Sequence, residues 1–568
     1  MPGFFISNSQ ELTALEDYDN SRCVKGVFQD AGWTVQRNTL NKFIGDKVFT
    51  SNERYILVFD GIVFDKEQWI RQTGATGWEQ AMLCLVEKDP VFFRAFRGCF
   101  AGAVFDKAKQ QWTVFTDPIG NHGVFTYVSE GYIAIGSQVG YFRDWMNTNG
   151  IQRKINPDWE NDMLSFGYVL DTHSILQGVE RVYPGSYRTI DAKGTVRDEA
   201  YYVIRKESVK KSEDEWIELL ETTFQQAVDR ICRKCREYGY SLVVDVSGGL
   251  DSRMIIAHLS DEIKQHAIGI NYAQTRSPDQ RIALKVAQTV SLPLIQYPMD
   301  GGDCLMEADE FIRMNQGMNY YAGISGGKKM LELLDRETYG MEIWGILGDV
   351  YEGAMITEPD LSVLWWDFDR YRVNHKFPVY NPEGYSREYS DLEVMWFSIR
   401  GMICGQNTAF IRQNFVECPG PFGDVDFMNL LFAIPYELRT KGRLLQKWFV
   451  KKYPDLAAIP YSATGVRISV TEQEEKQRRI PFRINRKIQK MIGVENATDS
   501  MNPLDEWYSQ NPRLREYMQQ YYSDHIHALD GNLRLRDAVD HLFFDEDSAA
   551  IDKILGITIL SSVTNYLG

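Results

Sequence analysis

The sequence predicts a two-domain protein of combined α+β and α/β class, in which a β-rich domain precedes a domain built on a parallel sheet. Residues 1 to about 200 contain short strands of alternating hydrophobicity, separated by turn residues, with few helical stretches. From residue 241 onward an apolar strand leads into a glycine loop and then a helix, which is typical of a parallel sheet covered by helices. The length of 568 residues is enough for about two to four domains.

The composition is that of an ordinary globular protein and excludes several classes of function. Hydrophobic residues make up 44% and charged residues 25% of the chain, which supports a large core. A net charge of −16 disfavours nucleic acid as a partner, because a phosphate backbone requires a basic surface. The sequence contains neither a run of about 18 apolar residues nor a signal peptide. We therefore expect a cytoplasmic protein with no membrane partner.

The first domain is predicted to span residues 1–202 and to be rich in strands. Runs of apolar and β-branched residues that end at turn residues are expected as strands: 55–59, 100–105 and 112–115. A helix is expected over residues 78–87. The charged stretch 203–215 lacks apolar periodicity, and we interpret it as a linker.

The second domain is predicted over residues 216–470 and is organised around a glycine loop. The loop residues follow the strand directly: Ser247, Gly248, Gly249, Leu250, Asp251 and Ser252. Two adjacent glycines let the backbone approach a ligand closely, and the N-terminus of the next helix adds partial positive charge. The loop therefore predicts a phosphate cradle, with a ligand-free tight turn as the alternative. The Asp251 carboxylate would repel bound phosphates unless a cation lay between them. Asp251 is therefore a candidate Mg²⁺ ligand.

This loop resembles the pyrophosphate loop of the ATP-pyrophosphatase superfamily, whose members cleave ATP to AMP and pyrophosphate and adenylate a substrate oxygen. It lacks the Gly-Lys-Ser/Thr ending of the Walker type. Four segments of the first domain resemble, in their order, the glutaminase domain of asparagine synthetases: residues 98–101, 117–127, 134–138 and 183–187. The resemblance covers roughly residues 1–470 and implies an αββα sandwich like that of Ntn hydrolases, followed by an ATP-pyrophosphatase domain with a parallel sheet.

Departures from the family pattern indicate that the first domain has lost its glutaminase activity. Pro2 stands where that family has an N-terminal cysteine, and proline has no nucleophilic side chain. Asp60 replaces the asparagine that helps to bind the oxyanion, and a carboxylate would repel a developing negative charge. Arg97 replaces an aspartate of the family. We expect a catalytically silent scaffold.

Another apolar stretch of the second domain, which is expected as a strand, ends in Gly345-Ile346-Leu347-Gly348-Asp349. This ending resembles a second motif of the family. Gly345 and Gly348 are expected beside the nucleotide, and Asp349 falls where the family has its second Mg²⁺ ligand. Asp251 and Asp349 at the ends of neighbouring strands can share a metal bound to ATP phosphates. A helix N-cap is the alternative role for Asp349.

Two catalytic groups of the family are replaced or displaced in this sequence. Ile346 stands where asparagine synthetases have a glutamate, and Glu352 is the candidate replacement as a base. No lysine follows Pro460 at the position expected for the lysine that stabilises the adenylate, and Lys447 is the candidate substitute. Residues 471–568 are expected to form a helical extension.

The resemblance implies an ATP-dependent ligase that uses ATP and Mg²⁺ to adenylate a small-molecule or peptide carboxylate and transfers it to an amine or ammonia. The amine could be free ammonia, part of the same substrate as in β-lactam synthetases and lasso-peptide cyclases, or part of a separate molecule. Three alternatives stay open: an asparagine synthetase proper, a tRNA-modifying ATP pyrophosphatase, and a non-catalytic binding protein. A homodimer is one assembly that the sequence leaves open.

Overall fold

A computed structural model describes most of the chain. The described residues are 2–15, 22–129, 131–206, 209–322, 325–348, 362, 372–373, 375–378, 389–462, 464–468, 471–491 and 500–568. The predicted site residues Asp349 and Glu352 lie outside this set.

The first domain contains two antiparallel sheets of six strands each, in the orders β10-β8-β9-β1-β3-β2 and β12-β11-β7-β6-β5-β4. The strands are β1 (Gly3–Ser7), β2 (Cys23–Asp30), β3 (Trp33–Leu40), β4 (Val48–Ser51), β5 (Tyr55–Val63), β6 (Gly98–Asp106), β7 (Gln111–Thr116), β8 (Phe125–Ser129), β9 (Tyr132–Gly136), β10 (Val179–Arg181), β11 (Ser186–Asp191) and β12 (Val196–Ala200). The helices are α1 (Lys66–Thr73), α2 (Trp78–Lys88), α3 (Val139–Thr148) and α4 (Pro157–Phe166).

Both sheets are covered on both faces, which gives four layers. In β5 the side chains alternate, so that Ile56 packs between the sheets while Leu57 packs against α1 and α2. Every residue of β5 is buried for this reason. On the other sheet Phe4 faces the partner sheet and Phe5 faces α3, where it contacts Trp145. The predicted αββα sandwich is confirmed.

The second domain is built on a parallel sheet of order β15-β14-β13-β16. Its strands are β13 (Ser241–Asp245), β14 (Ile268–Ala273), β15 (Leu294–Pro298) and β16 (Tyr339–Ile343). Helices α5 (Glu213–Glu237), α6 (Asp251–His258) and α8 (Pro278–Thr289) pack on one face, and α9 (Ala308–Asn315) and α10 (Ser325–Leu333) pack on the other. The predicted parallel sheet is confirmed.

The remaining helices complete this domain and extend it. They are α7 (Asp261–His266), α11 (Leu392–Trp396), a π-helix (Phe397–Gly405), α12 (Ala409–Arg412), α13 (Val425–Ala433), α14 (Tyr436–Arg439), α15 (Arg443–Lys452), α16 (Pro454–Ala457), α17 (Glu472–Met491), α18 (Leu504–Gln510), α19 (Pro512–His525), α20 (Leu533–Phe544) and α21 (Ala550–Leu567). Short 3₁₀ helices lie at Ile44–Asp46, Phe92–Ala95, Asp300–Met306, Gln406–Thr408, Pro421–Gly423, Thr440–Gly442 and Ile526–Leu529.

Helix α5 begins within the stretch interpreted as a linker. Ser212 caps it, because its hydroxyl accepts a hydrogen bond from the Glu215 backbone N–H while the Glu215 side chain accepts from the Ser212 N–H. Helix α21 is almost wholly buried and packs on α9, so the C-terminal extension shares the core of the second domain. None of the helices in the described part of the chain is long and apolar enough to cross a membrane.

Candidate active site

A cavity of about 410 Å³ opens at the carboxyl ends of β13, β14 and β16. This edge of a parallel sheet is where ligands of α/β proteins bind. We call the cavity the main pocket. It is lined by Asp245, Val246, Ser247, Asp251, Ser252, Ile270, Asn271, Tyr272, Asp279, Asn315, Asn319, Tyr320, Trp344, Gly345, Ile346, Leu347, Arg400, Gly401, Cys404, Gly405, Asn407, Thr408 and Met501.

The glycine loop places two serine hydroxyls on the wall of the main pocket. Oγ of Ser247 lies 2.9 Å from Oγ of Ser252, and the Ser247 N–H donates to Ser252 Oγ at 3.2 Å. The Gly249 N–H donates to Ser247 Oγ at 3.1 Å. Both hydroxyls therefore converge with Asp251 at the start of α6, as the sequence predicts for a phosphate cradle.

The backbone of Gly248 is held by the protein itself. Its N–H donates to Oδ1 of Asp279 at 2.7 Å, and its carbonyl accepts from the Ser462 N–H at 3.0 Å. Arg253 also donates to this carbonyl at 3.1 Å and to the Ile459 carbonyl at 3.0 Å. A Cβ on Gly248 would lie 2.7 Å from Cβ of Ser462, so close packing requires this glycine. Gly248, Gly249 and the buried Leu250 are not among the residues that line the pocket.

The turn after β16 lies directly against Asp251. A Cβ on Gly345 would come within 2.9 Å of Cβ of Asp251, and a Cβ on Gly348 would collide with the Asp251 carboxylate. These two glycines therefore make room for this carboxylate, and the structure brings the loop and the turn together; their predicted contact with the nucleotide stays a prediction. Asp349 follows in sequence, and its predicted role as a metal ligand stays a prediction.

Two carboxylates share one guanidinium behind the main pocket. Nε of Arg412 donates to Oε1 of Glu342 at 2.9 Å, and Nη2 lies 3.6 Å from Oδ2 of Asp245. Burial, together with the charge of Glu342, raises the pKa of Asp245 well above its ordinary value. Oδ1 of Asp245 is buried and has no hydrogen-bond partner among the described residues. The arrangement can hold a proton on Asp245.

Another wall of the pocket is formed by the π-helix. The Gln406 N–H donates to the Gly401 carbonyl, five residues back, so residues four and five apart share one face. On this face Arg400 and Cys404 line the pocket. Nη1 of Arg400 lies 2.6 Å from Sγ of Cys404, and its guanidinium lies 5.4 Å from the ring centre of Tyr168.

Lys447, the predicted substitute for the family lysine, is not among the residues that line the pocket. It lies on α15, and its ammonium lies 2.5 Å from Oε2 of Glu213 on α5. The neighbouring Lys451 pairs with Asp214 in the same way, at 2.9 Å. Among the described residues, the cation that lines the pocket is Arg400, which no sequence motif assigned to the site.

A second, smaller cavity of about 20 Å³ lies beside Pro2 and is lined by several charged side chains. Nζ of Lys47 lies 3.1 Å from Asp60 and 3.3 Å from Glu417 of the second domain. Nε2 of His122 lies 2.9 Å from Oε2 of the same glutamate. We call Lys47, Asp60, His122 and Glu417 the interdomain cluster. Arg97, the third departure from the family pattern, lies elsewhere and pairs with Asp426 at 2.9 Å.

A chain of amide groups connects the first domain to the wall of the main pocket. Nη1 of Arg181 donates to Oδ1 of Asn407 at 2.7 Å, and Nδ2 of Asn407 donates to Oδ1 of Asn319 at 3.2 Å. Nδ2 of Asn319 in turn donates to the Cys404 carbonyl at 3.0 Å. The first domain therefore supports the π-helix that carries Arg400.

Comparisons with known proteins agree with this division of the chain. A family model described as a glutamine amidotransferase domain matches residues 45–202, and one described as asparagine synthase matches residues 219–349. No curated protein matches the chain.

Two solved structures are similar to it at low identity. A glutamine phosphoribosylpyrophosphate amidotransferase from B. subtilis, complexed with ADP and GMP, is 11% identical over 47% of this chain and 51% of its own, with a TM-score of 0.21. The alignment thus spans about half the length of that enzyme. An allosteric regulatory enzyme of purine biosynthesis is 12% identical over 52% of this chain and 74% of its own, with a TM-score of 0.23.

The two family matches follow one another along the chain, and they coincide with the antiparallel sandwich and with the parallel sheet that carries the glycine loop. The chain thus carries an asparagine synthase domain, matched over residues 219–349, preceded by a glutamine amidotransferase-like domain, matched over residues 45–202.

Proposed function

We propose that the chain adenylates a carboxylate at the expense of ATP and transfers the acyl group to an amine that its own first domain does not supply. The observation that carries this proposal is the pairing of a phosphate-cradle loop with a pocket of about 410 Å³ in the second domain. A cavity of that size accommodates a nucleotide together with a small acid.

The residues of the loop fit ATP and Mg²⁺. The hydroxyls of Ser247 and Ser252 can donate to phosphate oxygens, and Asp251 with Asp349 would hold the metal, since Mg²⁺ prefers carboxylate oxygens. The absence of side chains at Gly345 and Gly348 leaves the Asp251 carboxylate its space. Bound ATP supplies an α-phosphorus for attack by the substrate carboxylate, with pyrophosphate as the leaving group.

Asp245 is the proposed acceptor for the proton of the attacking amine. Ile346 lines the pocket but cannot take a proton, so another group is required. Asp245 lines the same pocket, and its raised pKa makes its carboxylate a stronger base than an ordinary aspartate. Arg412 positions this carboxylate and limits how much negative charge is buried with Glu342.

The interdomain cluster supports the second half of the proposal, that glutamine is not hydrolysed by the first domain. A cavity of about 20 Å³ holds roughly one water molecule and leaves no room for a glutamine side chain. Asp60 pairs with Lys47 instead of binding an oxyanion. The amine is then free ammonia, a group of the same substrate, or a separate molecule.

The test is ATP–pyrophosphate exchange with Mg²⁺ across a panel of carboxylates that includes aspartate and short peptides. We expect exchange that requires one acid and disappears in Asp251→Ala. The matched control is Asp261→Ala, since the Asp261 side chain is 92% exposed on α7, outside the pocket. No exchange with any acid, together with no ATP binding by calorimetry, would refute the ligase. Release of glutamate from glutamine would refute the silent first domain.

A further inference from the structure

We propose that helix α17 (Glu472–Met491) docks the protein on a membrane that contains anionic lipids. The helix lies in the plane of the lipid headgroups, with the isoleucines of one face in contact with the lipid and the basic residues near the phosphates. This inference goes beyond the proposed ligase activity and does not depend on it. It concerns the surface of the C-terminal extension and leaves the chemistry of the main pocket unchanged.

The charges of α17 are divided along its length. All of its glutamates lie in the first turn. From residue 476 to residue 490 the chain has seven lysines and arginines and neither aspartate nor glutamate, although its net charge is −16. An anionic partner complements this run, and clusters of about four to eight basic residues are attracted to anionic lipid headgroups.

Two of these cations are paired within the helix. Arg478 pairs with Glu474, and Arg479 pairs with Glu475 at 2.9 Å, each across one helical turn. The basic residues from Arg483 onward lie more than one turn beyond these glutamates. Because the helix contains no later acid, a counter-charge for them must come from outside it.

One face of α17 carries apolar side chains that are open to solvent. Ile480, Ile484 and Ile488 are four residues apart, which places them on the same face of a helix. The exposed fraction is 58% for Ile480 and 56% for Ile484. Exposed isoleucines beside basic residues are typical of helices that lie at a membrane surface.

A lipid surface fits α17 better than a nucleic acid does. Single-stranded nucleic acids are bound by aromatic side chains that stack on the bases, and duplexes by polar side chains that contact phosphates and sugars. The exposed isoleucines of α17 offer neither kind of contact. An acidic chain also repels a long polyanion outside the basic run.

The segments on both sides of α17 lie beside the main pocket. Nη1 of Arg478 donates to the Ile468 carbonyl at 3.1 Å, and Ser462, six residues earlier, is bonded to the glycine loop at 3.0 Å. Beyond the helix, Met501 lines the main pocket, and its carbonyl accepts from the Gln274 N–H at 2.9 Å. Attachment of α17 to a membrane therefore brings this part of the protein close to the lipid.

The proposal replaces the expectation that the protein has no membrane partner. That expectation depended on the lack of an apolar run long enough to span a bilayer. A helix that lies at the interface needs no such run, since its affinity comes from one apolar face and from the attraction of its cations to anionic lipids.

The experiment measures how much of the full chain sediments with lipid vesicles. The vesicles contain phosphatidylcholine alone, or phosphatidylcholine and phosphatidylglycerol in equal parts. We expect binding to the anionic vesicles only, and an affinity that falls at least about 10-fold when NaCl is raised from about 0.05 M to about 0.5 M, because salt screens the charges.

Two variants test the two contributions separately. Ile480→Gln/Ile484→Gln removes apolar contact, and Arg486→Glu/Lys487→Glu reverses charge. Each should weaken binding to the anionic vesicles by about 10-fold or more, since both contributions are needed for an interfacial helix.

Leu533→Gln and Lys109→Glu are the matched controls. Leu533 is 69% exposed on α20, and the Lys109 side chain is 62% exposed in the first domain. Both should bind anionic vesicles as the wild type does. Thermal unfolding of every variant separates loss of binding from loss of fold, and Ile484→Gln alone is used if the double substitution unfolds the protein.

No binding of the wild type to anionic vesicles at low salt would overturn the inference. Undiminished binding by Ile480→Gln/Ile484→Gln would also overturn it, since charge alone does not place a helix in the interface. So would tighter binding to RNA or to polyglutamate than to vesicles, because the partner would then be a nucleic acid or an acidic protein. Sedimentation requires neither ATP nor an acid, so its outcome is separate from that of the ligase assay.

Discussion

The Lys47 ammonium lies 3.3 Å from Oε1 of Glu417, and this ion pair joins the two domains beside Pro2. The pair is buried, with 4% of each side chain exposed. This charged contact connects the first domain to the second. Under the proposal that the first domain does not hydrolyse glutamine, its role is to support the pocket of the second domain.

Glu417→Gln should destabilise the protein strongly. The substitution leaves the Lys47 ammonium and the His122 ring without their shared carboxylate in a buried site, and breaking such a pair lowers the free energy of unfolding by about 3–5 kcal/mol. Urea unfolding of the wild type and variant measures the change. Glu262→Gln is the control, since Glu262 is 71% exposed and pairs with Arg236 at the surface, and its effect should stay below about 1 kcal/mol. Equal effects of the two substitutions would contradict the proposed role of the cluster.

The interdomain cluster should make stability depend on pH through His122. Burial lowers the pKa of His122, but the charges of Glu417 and Asp60 outweigh it and raise the pKa above 6.5. A raised pKa means that the imidazolium stabilises the fold fully below about pH 6.5, and that this contribution is lost as pH rises through the raised pKa. Free energies of unfolding, measured from pH 6 to 9, should fall more steeply in the wild type than in His122→Gln. Parallel pH curves would contradict the assignment.

Gly348→Ala should impair nucleotide binding while the protein stays folded. The new methyl group would collide with the Asp251 carboxylate and displace it from the loop. We expect ATP affinity, measured by calorimetry with Mg²⁺, to fall at least 10-fold. Gly140→Ala is the matched control, because a Cβ at Gly140 on α3 has no atom within 4 Å. Unchanged ATP affinity in Gly348→Ala would argue that Asp251 does not bind the metal–nucleotide complex.

Asp245→Asn should impair amide formation and leave adenylation of the acid intact. The amide cannot accept the amine proton, so amide formation should fall by about 10²- to 10⁴-fold, while ATP–pyrophosphate exchange persists. Glu342→Gln tests whether Asp245 is the group that accepts the amine proton. Removing the charge of Glu342 lowers the pKa of Asp245, so the acid limb of the pH–rate profile should move to lower pH. A limb that does not move would show that Asp245 is not the base.

Much of this architecture could be predicted from the sequence because it depends on local patterns. Alternating strands predicted a β-rich first domain, and the family resemblance implied that it is a sandwich. The strand–glycine–helix pattern predicted the parallel sheet and the loop that holds Ser247, Asp251 and Ser252. The sequence could not distinguish a glycine needed for a ligand from one needed for packing. Gly248 proved to be the second kind, since its N–H and carbonyl are bound by Asp279 and Ser462.

The π-helix wall could not be predicted because no local pattern marks it. Arg400 and Cys404 reach the pocket through tertiary packing and through the i to i+5 spacing of the helix that carries them. Lys447 is a contrasting case. The first turn of α5 is acidic and provides ion-pair partners for the lysines of α15. This acidic turn was the feature of the sequence that argued against placing Lys447 in the pocket.

The most direct test of the central claim follows oxygen from the acid to AMP. The acid that supports exchange is labelled with ¹⁸O in its reacting carboxylate, and the products are analysed by mass spectrometry after a single turnover with an amine. Attack on the α-phosphorus transfers one labelled oxygen to AMP, which is the result we predict. ADP and labelled inorganic phosphate as products, or AMP without label, would contradict adenylation by this enzyme.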